Sequence, residues 1–164
     1  MSWAGAADLT RRLEHFERLM LHEPQLDVKT NHYFSGGIYE REIIVPAGSL
    51  IVGKIHLYAH LAKLSIGTMS ILSAQSCETL EGPRTFVSLP GEKRLGYART
   101  DCVFSTFHFV GSETDLDVLE KKLVVGTLEE YQLVHEMPVS SEVEIELIES
   151  DATVIPGSVV GTGG

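Results

Sequence analysis

The N-terminal part of the chain places apolar residues among charged ones at helical spacing. Side chains three or four positions apart share one face of a helix, so residues 8–21 predict an amphipathic helix that ends near Pro24. We expect this helix to pack on the rest of the fold or on a neighbouring subunit. Its apolar positions are Leu9, Leu13, Phe16, Leu19 and Met20.

From residue 25 to residue 108 the pattern changes to short β-rich runs separated by Gly, Pro, Asn or Ser. Strands this close together predict antiparallel pairing in a sandwich or barrel, because a parallel sheet would need crossover helices between them. The chain is therefore expected to be mainly β. The runs are IYEREIIV, LIVGKIHLY, KLSIGTMSIL, RTFVSL, PGEKRLGYA and CVFSTFHFV.

The C-terminal part returns to helical patterns. The sequence DLDVLEKK, residues 115–122, has acids in its first turn and lysines in its last, which suits a helix dipole. A second short helix is predicted over residues 128–133, and the alternating EVEIELIE predicts a half-exposed strand. We divide the chain into a helix (1–24), a β-barrel (25–112), C-terminal helices with a strand (113–150) and a Gly-rich tail (151–164).

Composition narrows the function classes. The 164 residues are 43% hydrophobic, enough for one core, and the net charge of −10 disfavours general nucleic-acid binding and anionic membranes. Cys77 and Cys102 lack the CxxC spacing of thiolate zinc sites, and a reduced setting is expected. The N-terminus has no long apolar stretch, so we expect a soluble protein without a signal peptide.

Two segments of the barrel region resemble the two-part signature of the cupins. They are PAGSLIVGKIHLYAHLAKLSIG and FVSLPGEKRLGYARTDCVFSTFHF, and with HYFSGGIYEREIIVPAG they are most similar to small cupin-like proteins of tailed bacteriophages and prophages. The resemblance implies a double-stranded β-helix, or jelly-roll barrel, with an N-terminal amphipathic helix and short C-terminal helices. It also implies a location in the cytoplasm of a bacterial host or in a virion.

The resemblance also indicates which positions correspond to metal ligands. Metal-binding cupins supply two histidines and a glutamate from the first motif and one histidine from the second. Counted from the turn glycine Gly67, His56 takes a histidine position, His60 takes the glutamate position and Lys54 takes the other histidine position. Arg94 takes the histidine position of the second motif. Because arginine stays protonated and has no lone pair to donate, the usual four-ligand site is absent.

Two kinds of site remain open for the barrel interior. A reduced set of three imidazoles, His56, His60 and His108, would suit zinc, iron or manganese. Without a metal, a group of cationic and hydrogen-bonding side chains would favour a small anionic ligand that is phosphorylated or carboxylated, such as a nucleotide, with arginine offering a planar fork. This group consists of Lys54, His56, His60, Arg94, Tyr97 and His108.

Structural roles are equally open for the same residues. His56 and His60 lie four apart, so both face one side of a strand, where they would serve as core polar groups. Arg94 and Tyr97 are candidates for a structural ion pair whose partner would be Glu40, Glu42 or Asp101.

Three functions follow from these observations. The resemblance and the incomplete ligand motif favour a bacteriophage-type accessory or structural protein, an assembly or virion-associated module that contacts phage-particle proteins or forms a homo-oligomer. The alternatives are a binding module for a small anion and a divalent-metal-dependent enzyme. The sequence has no nucleophile-elbow, phosphate-loop or dinucleotide fingerprint. A non-enzymatic role is favoured, and the metal-dependent enzyme stays open as an alternative.

Overall fold

The computed structural model describes residues 3–74 and 76–136. A helix, α1 (Trp3–Met20), precedes a run of ten strands, and two short helices follow with one strand between them. None of the helices in these ranges is long and apolar enough to cross a membrane. The ten strands are β1 (Lys29–Ser35), β2 (Ile38–Val45), β3 (Leu50–Val52), β4 (Ile55–His56), β5 (His60–Ile66), β6 (Thr68–Leu72), β7 (Cys77–Glu81), β8 (Arg84–Ser88), β9 (Leu95–Ala98) and β10 (Cys102–Phe109). The later elements are α2 (Leu116–Leu123), β11 (Val124–Val125) and α3 (Leu128–Glu136).

Two antiparallel sheets make up the barrel. One sheet has the order β1-β2-β10-β5-β8 and the other has the order β3-β9-β6-β7, while β11 pairs with β4. Without β1 and the short β4, the remaining strands of the barrel divide equally between the two sheets as in a jelly roll, with the last strand beside the first. The predicted fold class is confirmed: a double-stranded β-helix with an N-terminal helix and short C-terminal helices.

The apolar core fills one end of the barrel. It is formed by the C-terminal halves of β2 and β5, the N-terminal half of β10, and β6, β7 and β9. The opposite end is lined by the beginnings of β2 and β5 and the end of β10, and its inward side chains include Tyr39, His60 and His108. The buried core residues are Ile43, Val45, Leu64, Met69, Ile71, Leu80, Ala98 and Cys102.

Local hydrogen bonds define the two short helices. The Asp115 side chain caps α2 by accepting from the backbone N–H groups of Asp117 and Val118. In α3, the Glu130 carboxylate accepts from the N–H of Thr127, and the Thr127 hydroxyl accepts from the N–H of Glu130. This reciprocal pair is a capping box.

The helix α1 is held against the barrel by two acidic side chains. Glu14 accepts a hydrogen bond of 2.6 Å from the backbone N–H of Leu128 at the start of α3. Glu17 forms an ion pair with Lys93, whose side chain is wholly buried. The predicted helix is therefore present, and it runs from Trp3 to Met20.

Some sequence predictions differ from the structure or lie outside it. The strands β1 and β7 are not among the predicted runs; both are edge strands of their sheets, and most of their residues are exposed, so their hydrophobic alternation is weak. The predicted strand EVEIELIE and the Gly-rich tail lie outside the described residues.

Candidate metal centre

Three histidines from different strands meet at the polar end of the barrel. His56 ends β4, His60 begins β5 and His108 lies near the end of β10. Their ring centroids are 4.0 Å apart for His56 and His60, 4.6 Å for His60 and His108, and 5.2 Å for His56 and His108. One ligand atom from each ring lies within 4.8 Å of the other two.

Strand alternation explains why His108 faces inward. Phe104, four residues earlier on β10, packs against the apolar core, whereas Phe109, the next residue, is 74% exposed. Residues an even number apart share a face of a strand, so His108 shares the inner face with Phe104. Across the sheet His108 lies opposite Tyr39, which is also buried.

Burial keeps the three imidazoles neutral. It is the largest cause lowering the pKa of His56 to about 2, and the neighbouring His60 and His108 add to it. Burial likewise lowers the pKa of His60 to about 4 and that of His108 to about 3. A neutral imidazole has one nitrogen lone pair free for a metal ion, so all three side chains are in a ligating protonation state at ordinary pH.

Hydrogen bonding fixes the orientation of one ring and leaves another without a partner. His60 Nδ1 lies 3.2 Å from the backbone carbonyl of Tyr58; a carbonyl only accepts, so Nδ1 donates and the lone pair is on Nε2. A ring nitrogen tied to a carbonyl in this way is typical of metal-ligating histidines. His56 Nδ1 is buried with no hydrogen-bond partner among the described residues. This donor set fits zinc, iron or manganese.

Arg94 lies beside the histidines but is already paired. Its guanidinium forms an ion pair with Glu92 and donates a 2.9 Å hydrogen bond to Ser88 Oγ, and Ser88 pairs with His60 across the sheet. The structural ion pair considered from the sequence does exist, but the partner is Glu92, two residues away, instead of Glu40, Glu42 or Asp101. Asp101 instead accepts from the backbone N–H of Ala47.

The remaining two candidates, Lys54 and Tyr97, are exposed and do not contribute to the cluster of three histidines. Lys54 pairs with Glu120 of α2, and about half of each of the two side chains is exposed. It precedes β4 and lies in a loop, so strand alternation does not carry it to the inner face. Tyr97 is 43% exposed, because its neighbour Ala98 takes the inward position on β9.

Two residues near the histidines were missed as site residues. Tyr39 and Arg41 lie on the inner face of β2, in the same alternating set as Ile43 of the core. Tyr39 stacks on Phe34 and shares a 2.8 Å hydrogen bond with His32 Nδ1. The alternation of IYEREIIV carried the signal, because the inward apolar positions on either side of Arg41 place it on the inner face.

Comparisons with solved structures give distant similarities to cupin proteins. KdgF from Halomonas sp. is 9% identical with a TM-score of 0.44, and the match covers 52% of this chain and 82% of that one. A cupin superfamily protein from Desulfitobacterium hafniense is also 9% identical with a TM-score of 0.44, over 54% and 83% of the two chains. Salicylate 1,2-dioxygenase from Pseudoaminobacter salicylatoxidans is 13% identical with a TM-score of 0.46, over 62% and 31%.

The sequence comparisons gave no match. No family model matches the chain, and no curated protein matches it. The fold is therefore assigned from the order of the strands in the two sheets, and the candidate metal centre from the geometry of its own side chains.

Proposed function

We propose that this barrel binds one divalent transition-metal ion, zinc, iron or manganese, through His56, His60 and His108. The observation that carries the proposal is the convergence of the three buried imidazoles, with one ligand atom from each within 4.8 Å of the others. A centre of this kind serves a metal-dependent protein that acts on or binds a small molecule inside the barrel.

The lack of a hydrogen-bond partner for His56 Nδ1 supports a metal-binding role for the histidines over a purely structural one. Buried polar groups in proteins almost always have hydrogen-bond partners, and burying one without a partner costs about 1–3 kcal/mol. His56 Nδ1 lacks a partner among the described residues, and its ring packs against two further imidazoles. A bound ion would compensate this arrangement by taking up the lone pairs of all three rings.

The number of ligands determines what the centre does. Three protein ligands leave coordination positions open, as in catalytic rather than structural metal sites. When bound, such an ion supplies Lewis-acid activation of water or a substrate oxygen, and iron or manganese also supports one-electron chemistry. The carbonyl of Tyr58 orients His60, and the buried ring of Tyr39 lies next to His108, with 6.2 Å between the ring centroids.

Metal analysis of the protein purified without chelator tests this proposal. We expect about one ion per chain in the wild type and none in the His56→Ala/His60→Ala double variant. The matched control is His15→Ala/His22→Ala, which removes two histidines outside the cluster and should keep the ion. A wild-type protein with far less than one ion per chain, or a His56/His60 variant that keeps its metal, would overturn the proposal.

A second candidate function, assembly, is favoured by an apolar patch on the outer face of the five-stranded sheet. Phe109 is 74% exposed, Leu61 49% and Ile38 43%. Large exposed apolar patches commonly mark protein–protein contacts. Phe109→Ser should then lower the mass measured by light scattering, and a wild-type monomer would exclude self-assembly. A virion-associated role among phage-particle proteins rests on the sequence resemblance alone and stays a prediction.

A further inference from the structure

We infer that Arg41 is the specificity-determining residue of the barrel, and that it holds the carboxylate of a small organic acid whose second oxygen donor reaches the metal ion. This inference rests on the proposed metal site and names the class of ligand for it. Three features of Arg41 support it: its position on the strand, its lack of a partner and the charge around it.

The position of Arg41 follows from the register of the sheet. On β2, Tyr39 and Ile43 point to the interior, and Arg41 lies between them in the same alternating set. Tyr39 lies directly opposite His108 on the neighbouring strand β10. Arg41 is therefore the diagonal neighbour of His108, at about 7–8 Å between Cα atoms. An arginine side chain is long enough to span this distance, so the guanidinium is within reach of a ligand bound beside the imidazoles.

Arg41 also differs from the other cations at this end of the barrel. Arg94 is paired with Glu92, and Lys54 is paired with Glu120. Among the described residues, Arg41 has neither an ion pair nor a side-chain hydrogen bond, and its side chain is exposed. An inward-facing strand position usually carries an apolar residue, and Arg41 instead presents a solvent-accessible guanidinium that a ligand can reach.

The charge of the centre explains why the ligand is an anion. The proposed ligands are three neutral imidazoles, which leave both positive charges of a divalent ion uncompensated. Glu92 pairs with Arg94, and Glu120 pairs with Lys54. The Lys54 hydrogen bond is the largest cause lowering the pKa of Glu120, and the charge of Arg41 lowers it further without forming an ion pair. The pKa of His108 is lowered most by burial, next by the neighbouring His60 and then by the positive charge of Arg41. The last contribution agrees with a guanidinium that lies close to the ring. A dicarboxylate that bridges the ion and Arg41 would compensate two of these three positive charges.

The planar guanidinium of Arg41 favours a carboxylate as the ligand. A guanidinium presents two parallel N–H groups that match the two oxygens of a carboxylate. A phosphate has three oxygens to satisfy, and Arg41 is the single unpaired guanidinium that the described part of this end offers. A small acid with a second oxygen donor, such as a dicarboxylate, would bind Arg41 and the metal ion at the same time.

A cobalt titration tests the binding of the metal and the binding of the organic acid separately. Co²⁺ bound to imidazoles gives visible absorption bands, so one titration measures metal affinity and a second, with succinate, measures ligand affinity from the change in those bands. We expect Arg41→Met to weaken succinate binding by about tenfold or more, as for loss of a charge-assisted bidentate contact. The Kd for Co²⁺ should change by less than about threefold, since Arg41 is not a metal ligand.

Comparator ligands and variants sharpen the test. Acetate, which has one carboxylate, should bind the ion alone and lose less affinity than succinate in Arg41→Met. Arg41→Lys should recover only part of the loss, because an ammonium lacks the planar fork. Arg99→Met is the charge-matched control, because Arg99 bonds Ser70 on the outer face of the other sheet.

The possible results distinguish a failure of the proposed metal site from a failure of the role of Arg41. Failure of Co²⁺ to bind the wild type would overturn the proposed function and this inference with it. Normal Co²⁺ binding with equal succinate affinity in wild type and Arg41→Met would overturn the inference and leave the proposed function standing. Tighter binding of inorganic phosphate than of succinate would overturn the choice of a carboxylate.

Discussion

Lys93 and Glu17 form an ion pair of 2.8 Å in which the lysine side chain is wholly buried and the glutamate is about one-third exposed. The Lys93 ammonium also donates to the backbone carbonyls of Gly53, at 3.2 Å, and Gly126, at 3.1 Å. One buried cation thus joins α1, the loop before β4 and the segment between β11 and α3. Because His56 ends β4, this junction supports one wall of the candidate metal centre.

Removing the charge of Glu17 should therefore destabilise the fold. We expect Glu17→Gln to lower the free energy of unfolding by about 1–3 kcal/mol, since it leaves a buried ammonium without its counter-charge. Urea unfolding followed by circular dichroism measures the change. Asp8→Asn is the matched control on the same helix: Asp8 pairs with Arg12 at 3.9 Å in solvent, and its loss should cost less than about 0.5 kcal/mol. Equal effects of the two substitutions would contradict this role for Lys93.

A glycine turn between β5 and β6 gives a second stability prediction. Gly67 has φ +96°, and a Cβ there would collide with the carbonyl oxygen of Asp101 and lie 2.7 Å from Cys102 Sγ. Gly48 has a similar φ of +81°, but a Cβ at that position would meet nothing within 4 Å. Both substitutions to alanine incur the backbone cost of about 1–2 kcal/mol. Only Gly67→Ala adds overpacking, which costs about 1–3 kcal/mol more.

Thermal unfolding of the two glycine variants measures the difference. The melting temperature of Gly67→Ala should lie several degrees below that of Gly48→Ala. Equal melting temperatures would show that the β5–β6 turn has room that the structure does not contain.

The fold and the three histidines were predictable from the sequence for different reasons. The barrel followed from closely spaced alternating runs and their turn residues, because a strand that covers a core must alternate. The set His56, His60 and His108 followed from the resemblance to cupins, and the structure brings these rings together.

Other features depend on contacts that no local pattern encodes. Lys93 and Glu17 are far apart in sequence, so their pairing appears only when α1 docks. Lys54 was expected in the interior because it takes a histidine position of the cupin motif, but it lies in a loop, where strand alternation does not determine the direction of a side chain. The position of Arg41 could have been inferred from alternation, because Tyr39 and Ile43 lie on either side of it in the same alternating set.

The buried histidines predict a pH dependence for the stability of the metal-free protein. Their pKa values are lowered to between about 2 and about 4 in the folded state, against 6.5 for an exposed imidazole. The unfolded chain therefore binds more protons below pH 6.5, so the folded state is stabilised above this pH and loses stability as the pH falls towards 4. Each histidine contributes about 1.4 kcal/mol per pH unit in this window.

Urea midpoints measured with EDTA at pH 7.5, 6.0 and 5.0 test this dependence. The wild type should lose stability more steeply than His60→Asn, in which one of the three groups no longer titrates. Carboxylates outside the cluster titrate in both proteins, so the difference isolates the histidine. Identical slopes for the two proteins would show that His60 is not buried in its neutral form.

Anomalous diffraction from crystals of the zinc-loaded protein, recorded on both sides of the zinc absorption edge, tests the central claim most directly. We predict one peak per chain, at about 2.0–2.1 Å from a ring nitrogen of each of His56, His60 and His108. A zinc-loaded protein whose anomalous peaks lie elsewhere, with the three imidazoles still in contact and no ion between them, would contradict it.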